Sequence, residues 1–319
     1  MLEIDAARAA TAIEQYISDL CDERNKHCVV MGLSGGIDSA VLITLAVRAV
    51  GADRVKAYFL KDRDSESDSE VKARTMADWL GIELQVRDIS QVMGQKGVYA
   101  PLIMRISRLG APTKRFLLWL YQVVFRETAH LTTIKGGSGH LGRNPLKRLI
   151  YRFCITPLVK SFNIRHIFRR KLIEKEAERY DGIIIGAANR TEEQAGWFVK
   201  KGIDDMPLQP MAGLYKTQVW QLSEFLGLPQ TIREQLPSPD MVKGVTSEMS
   251  IGITYRRLDE ILDYIDRGFT EEAILARGIT KQELTNTRDI QFYSAWMRDS
   301  PHEIPPMNGL AGSPYRTDT

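Results

Sequence analysis

The chain has 319 residues, enough for one large α/β domain or one domain with appendages, and its 44 % hydrophobic and 26 % charged content is that of a globular protein with a sizeable core. Its three cysteines, Cys21, Cys28 and Cys154, lack metal-ligand spacing, which speaks against a disulfide framework and for a reducing compartment. No apolar run approaches the roughly 20 residues needed to cross a bilayer, and Met1–Asp5 is acidic without the apolar core of a signal peptide, so a cytoplasmic protein is expected. The net charge of +3 conceals an asymmetry: Lys96–Lys160 holds 12 Lys/Arg and one acid, Glu127, for a local +11, while the remaining 31 basic and 39 acidic residues give −8.

Residues 5–26 have the spacing of an amphipathic helix, with Ala9, Ile13, Tyr16, Ile17 and Leu20 on one face. Val29–Leu33 is a short apolar run of the kind that forms a buried parallel strand, and Ala40–Arg48 reads as a helix. Between them lies Ser34-Gly35-Gly36-Ile37-Asp38-Ser39. Its glycines allow a tight turn and close approach of the backbone to an anion. Serine hydroxyls and the free N–H groups of the following helix supply donors, so the loop is suited to a phosphate group. Asp38 would repel a phosphate placed beside it unless Mg²⁺ lies between the two. An ordinary structural turn needs neither the paired serines nor the carboxylate.

Arg54–Leu60 reads as a second strand, 61–69 as a polar loop, Ser69–Leu80 as a helix and Ile82–Val86 as a third strand. Asn163–Tyr180 reads as a basic and acidic helix, Gly182–Gly186 as a further buried strand and Leu214–Leu226 as a helix stopped by Gly227 and Pro229. This alternation is that of a doubly wound parallel sheet, an α/β fold with ligands at the carboxyl ends of its strands. About 240–319 reads as short helical pieces, clearest at Tyr255–Ile265, with a Pro/Gly-rich tail from Pro301. About 93–162 breaks the rhythm and reads as a basic, mainly helical insertion, so that 1–319 is expected to be a single domain carrying it. Two apolar-basic helices, Phe116–Phe125 and Leu149–Phe153, would flank a loop with Gly136-Gly137-Ser138-Gly139. They either pack on the domain or a second subunit, or present a basic aromatic platform to an anionic surface.

The Ser34–Ser39 loop resembles the pyrophosphate loop of the ATP pyrophosphatases and differs from a Walker loop, which carries Lys-Ser/Thr after its last glycine. Further stretches are similar to NAD synthetases in particular. Asp181–Glu192 resembles their apolar run followed by Gly-Thr-x-Asn-x-x-Glu, and Leu214-Tyr215-Lys216-Thr217-Gln218-Val219 matches Leu-Tyr-Lys-Thr-Gln-Val. Pro237-Ser238-Pro239-Asp240 resembles Pro-Ser-Ala-Asp, Asn163-Ile164 resembles the start of Asn-Ile-Gln-Ala-Arg, and Gly252–Tyr255 a later Gly-x-x-Tyr. The resemblance spans about 5–95 and 160–265. It implies the adenine nucleotide alpha hydrolase-like fold, a homodimer, and an ATP-dependent amide ligase. Such an enzyme adenylates a carboxylate, releases pyrophosphate, and lets ammonia form the amide with loss of AMP. On this reading Ser34, Gly35, Gly36, Asp38, Ser39, Lys216 and Ser238 bind ATP and pyrophosphate. Lys216 and Asp38 are catalytic, and Asp38 and Glu192 hold Mg²⁺. Lys216 neutralises phosphate charge and Ser238 donates a hydrogen bond.

The departures from the family fall on the substrate side. Gly186-Ala187 replaces Gly-Thr, and the arginine of Asn-Ile-Gln-Ala-Arg falls on Ile167, with Arg165, His166 and Arg169 nearby. Lys-Tyr-Gly-Asp becomes Lys200-Lys201-Gly202-Ile203, and an aspartate before a proline falls on Pro207, leaving Asp204 and Asp205 as stand-ins. Asn163, Arg165, Arg169, Asn189, Asp204 and Asp205 are therefore the candidate substrate residues. Deamido-NAD is the leading acceptor, and a sugar acid or another biosynthetic carboxylate is the alternative within the same chemistry. No glutaminase domain is expected before residue 5, so ammonia would be free or come from a separate protein. A tRNA-modifying relative would explain the basic segment but lacks its catalytic cysteine pair here, so nucleic acid is not an expected partner. An inactive, membrane-associated relative conflicts with intact Ser34, Asp38, Glu192 and Lys216.

Overall fold

Because Cys28–Gly32 is apolar on both sides, it can only be a central strand, and the computed structural model places it there. The structure describes residues 2–106, 110–238, 242–298 and 302–305. Strands β1 (Cys28–Gly32), β2 (Val55–Lys61), β3 (Leu84–Asp88) and β4 (Gly182–Ile184) form a parallel sheet in the order β3-β2-β1-β4. Register pairs Met31 with Ala57, Val29 with Ile183, and Ala57 with Leu84. The order reverses between β1 and β4, so the crevice beyond their carboxyl ends is the expected ligand site.

Alternation of side chains along the strands divides the core in two. Val29, Met31 and Leu33 face helices α1 (Ala6–Glu23), α2 (Ile37–Val50) and α3 (Ser69–Leu80) together with the helix Lys216–Phe225. Cys28, Val30, Tyr58 and Leu60 face the opposite way, onto Ile173 and Ala177 of the helix Thr156–Arg179. The sheet is thus wound on both faces, as the sequence implies.

Element boundaries shift for local reasons. β3 starts two residues later than expected because Gly81 ends α3 in the left-handed conformation and Ile82 N–H returns to the Ala77 carbonyl at 3.0 Å. The helix expected from Asn163 begins at Thr156, since it grows directly out of a π-helical turn at Tyr151–Ile155 with Pro157 in its first turn. In the C-terminal part Thr246, Thr254, Thr270 and Thr280 each cap a short helix through the side-chain hydroxyl. Beyond β4, Gly186 N–H bonds the Leu208 carbonyl and Leu208 pairs with Glu303, which extends the sheet edge. The tail from residue 306 lies outside the described residues.

The insertion contains more helix than expected: Leu102–Ile106, Ala111–Phe125, Ala129–Gly137 and Pro145–Ile150. Gly136 and Gly137 end a helix where a loop was expected. A Cβ at either would lie 2.2 Å from Tyr151 or 2.3 Å from Trp296, so these glycines let two aromatic rings press on the backbone. Among the described residues no helix is long and apolar enough to cross a membrane.

Candidate active site

The loop Ser34–Ser39 leaves β1 and enters α2 at the switch point. Gly35 adopts φ +83° and its Cβ position lies 2.4 Å from the Ser69 carbonyl, so only glycine fits. Ser34 and Ser39 hydroxyls lie 3.0 Å apart, Gly36 N–H donates to Ser34 Oγ at 3.2 Å, and Ser39 Oγ donates to the Gly36 carbonyl at 3.0 Å. Gly36 caps α2 without a side chain, so the amides of the first helical turn remain directed at the crevice.

Three chain-distant groups converge on this turn. Lys216 Nζ pairs with Asp38 Oδ2 and lies 3.6 Å from Glu192 Oε1. Asn189 donates from Nδ2 to Asp38 Oδ1 at 3.0 Å and accepts from Glu192 N–H at 3.0 Å, so one amide holds the acid and starts the helix Arg190–Ala195. Lys216 opens its own helix, with its N–H donating to Thr191 Oγ1 at 2.8 Å. Its side chain is only 2 % exposed. Burial disfavours its charge, yet Asp38 and Glu192 outweigh that and raise its pKa. Burial pushes the Glu192 carboxyl up to about 8 against the opposing pull of Lys216, and Asp38 and Asp204 add to the rise. Two carboxylates thus share one ammonium in a crowded pocket.

Asp259 was not anticipated. Its carboxylate accepts from Thr191 Oγ1 at 2.5 Å and from the N–H and hydroxyl of Thr217, both at 2.8 Å, tying together the two helix starts that carry Glu192 and Lys216. Burial lifts it to about 6. The signal was present: an aspartate in the middle of the apolar stripe Tyr255, Leu258, Leu262. Gln209 was also missed. It is fully buried, accepts from Ala188 N–H at 3.1 Å and fills the space where a Cβ at Gly186 would stand.

A cavity of about 960 Å³ runs from Ser34, Asp38, Glu192, Lys216 and Ser238 to Asn163, His166, Arg169, Lys200 and Asp204. Pro239 and Asp240 of the last phosphate-side motif lie outside the described residues. Lys114, Leu117, Leu118, His130, Ile134 and Tyr151 from the insertion complete the wall. Of the candidates for the missing arginine, His166 and Arg169 line the cavity. Arg165 does not: it is fully buried, with Nη2 2.7 Å from Asp64 Oδ2 and Nε 3.7 Å from Asp62. Asp205 also faces away, accepting from His302 at 2.8 Å and from Lys201 N–H at 2.6 Å, whereas Asp204 bonds His166 at 2.6 Å beside the cavity. Asn189 is fully buried behind Asp38, a support for the acid and not part of the cavity wall.

Comparison with known proteins identifies the family. The family model of NAD synthase matches residues 9–98 and 155–301, leaving out most of the insertion and reaching further toward the C-terminus than the motifs alone. The NH3-dependent NAD+ synthetase of Thermotoga maritima is 33 % identical over 252 residues, covering 79 % of this chain and 85 % of that protein. That of Methanosarcina mazei is 32 % identical over 292 residues, covering 90 % and 94 %. Among solved structures, NMN synthetase from Francisella tularensis superposes with a TM-score of 0.66 at 22 % identity, covering 93 % of this chain and 97 % of that one. NH3-dependent NAD synthetase from Campylobacter jejuni gives 0.62 at 18 %, covering 94 % and 99 %, and both structures support the same fold. With its phosphate loop, its Asp38–Lys216–Glu192 centre and the match over both halves of the sheet, the chain belongs to the NAD synthase family.

Proposed function

We propose that this chain is an ATP-dependent amide ligase that uses ammonia, with deamido-NAD as the acceptor its family implies. The observation that carries the reading is the convergence of Asp38, Glu192 and Lys216 on an uncapped helix start in one cavity. A carboxylate oxygen of the acceptor attacks the α-phosphorus of ATP, the bond to the β-phosphate oxygen breaks, and pyrophosphate leaves. Ammonia then attacks the acyl carbon and AMP departs with the carboxyl oxygen. Ser34, Ser39 and the first amides of α2 receive the pyrophosphate, and Lys216 offsets its charge at close range. Ser238, at the cavity wall, would donate to the same group.

Among the described residues no cluster of three or more metal-ligating side chains exists. Asp38 and Glu192 nevertheless fit Mg²⁺, which takes one or two carboxylates and completes its shell with phosphate oxygens and water. A cation beside Glu192 would hold its carboxyl ionised against the burial that lifts it to about 8. When bound, it would neutralise charge developing on the phosphate oxygens.

A second reading keeps the chemistry and changes the acceptor to another carboxylate. It is favoured by the altered substrate side, Gly186-Ala187, Ile167 and Lys200–Ile203, and by a cavity wall supplied from outside the matched family core. Pyrophosphate release from ATP and ammonium, scored over a panel of carboxylates including deamido-NAD, separates the two. Release with deamido-NAD supports the first, and release with another acid alone supports the second. We further propose a cytoplasmic homodimer, for which light scattering at micromolar concentration is the check; a monodisperse monomer would contradict it.

A further inference from the structure

The helix Ala111–Phe125 is amphipathic in the wrong sense for a core element. Phe116, Leu117, Trp119, Leu120, Val123 and Val124 are 39–56 % exposed. They share an arc of roughly 160° at 100° per residue. The opposite side is the one that packs: Lys114 is buried, and Tyr121 bonds Thr132 at 2.7 Å and stacks on Phe125. The same inversion recurs nearby, where Leu146, Leu149 and Phe153 are 52–60 % exposed with Arg148 and Arg152 beside them.

Charge decides what can cover these faces. The segment's single acid, Glu127, is turned inward and held by Lys135, Lys147 and Thr132. Arg126, Arg143, Arg148 and Arg152 are exposed, and none pairs with a carboxylate among the described residues. A second copy seated on this face by two-fold symmetry would bring these arginines toward their own equivalents with no acid between them. An anionic lipid surface supplies what is missing: negative headgroups for the arginines, and an acyl boundary for Trp119, Phe116 and the valines.

We infer that the segment 111–153 is an interfacial element that docks the protein on anionic bilayers without crossing them. Leu117 belongs both to the exposed face and to the wall of the cavity, so docking sets the cavity beside the headgroups. The inference does not depend on which carboxylate the enzyme uses. The test is flotation of the full-length protein with phosphatidylglycerol-containing and pure phosphatidylcholine vesicles at low and high salt. Fluorescence quenching by bromolipids is followed in the protein and in Trp119→Phe. Binding to anionic vesicles alone, loosened by salt and by about fivefold for each of Arg148→Gln and Arg152→Gln, is expected, with quenching that Trp119→Phe removes. Trp119→Gln/Val123→Gln should keep the melting temperature and lose binding. Equal or negligible binding to both vesicle types overturns the inference. So does unaltered binding by the double variant, its conversion of a dimer to a monomer, or displacement of the protein from vesicles by RNA without any bromolipid quenching.

Discussion

The two parts of the molecule on either side of the family match treat charge and apolar surface in opposite ways. In the matched core, apolar residues fill both faces of the sheet, and an ammonium, Lys216, is buried against acids contributed 178 and 24 residues away in the chain. In the segment between residues 98 and 155 the acid is inside, Arg126, Arg143, Arg148 and Arg152 are outside, and Phe116, Trp119, Val123, Val124 and Phe153 face solvent. A core of the first kind is made by folding alone. A surface of the second kind leaves large apolar side chains unburied in the single chain, as interaction surfaces do.

The comparison breaks most severely at Lys216. Lys216→Met should abolish AMP formation and cost about 3 kcal/mol of stability, since the acids it leaves behind lose their buried cation; parallel turnover and chemical denaturation measurements decide this. Near-wild-type stability would mean that Asp38 and Glu192 relax by taking up protons. Asp38→Asn weighs more on the chemistry. Asn can keep its bond from Asn189 and Glu192 stays beside Lys216, so the melting temperature should fall less than in Lys216→Met while turnover falls by several kcal/mol of transition-state stabilisation. Near-normal AMP formation by this variant removes Asp38 from the mechanism.

His130 tests the seam between the two parts. It belongs to the insertion, donates from Nε2 to the Ala195 carbonyl of the core at 2.8 Å, and burial lowers its pKa from 6.5 to about 4. The neutral ring is therefore favoured in the fold, so stability is full above the unfolded pKa and declines as pH falls from 6.5 toward 4. The decline should reach about 3 kcal/mol, and His130→Asn should flatten it in denaturation curves at pH 7 and pH 4.5. The smallest effect is expected outside: Phe116→Ser should change stability by no more than about 0.5 kcal/mol, read by thermal melting. A large loss there would place Phe116 in a packed interface of the isolated protein.

What could be read from the sequence follows how local its cause is. The Ser34–Ser39 loop was legible because Gly35 must accept a positive φ and the serines bond one another within six residues. The partners of Asp38 were legible only in part: the resemblance grouped Lys216 and Glu192 with it, but nothing near residue 38 announces Asn189 as its neighbour. Arg165 and Arg169 looked equivalent as neighbours of Ile167, yet only Arg169 reaches the cavity, because Arg165 is drawn to Asp62 and Asp64. The apolar helix at Phe116–Phe125 was legible but not its direction, since a helix facing solvent and a helix facing a core share one pattern.

The pairing of Glu303 with the 207–209 strip has a practical consequence for aggregation. Gln209 N–H donates to the Glu303 carbonyl at 3.0 Å, Glu303 N–H returns to the Pro207 carbonyl at 2.8 Å, and Arg24 pins the Glu303 side chain at 2.5 Å. Residues 302–305 thus cover peptide groups of the 207–209 strip that would otherwise stand open for another copy to pair with. A truncation before residue 302 would strip that shield while leaving the catalytic groups in place, producing a protein that is active when fresh and precipitates on standing.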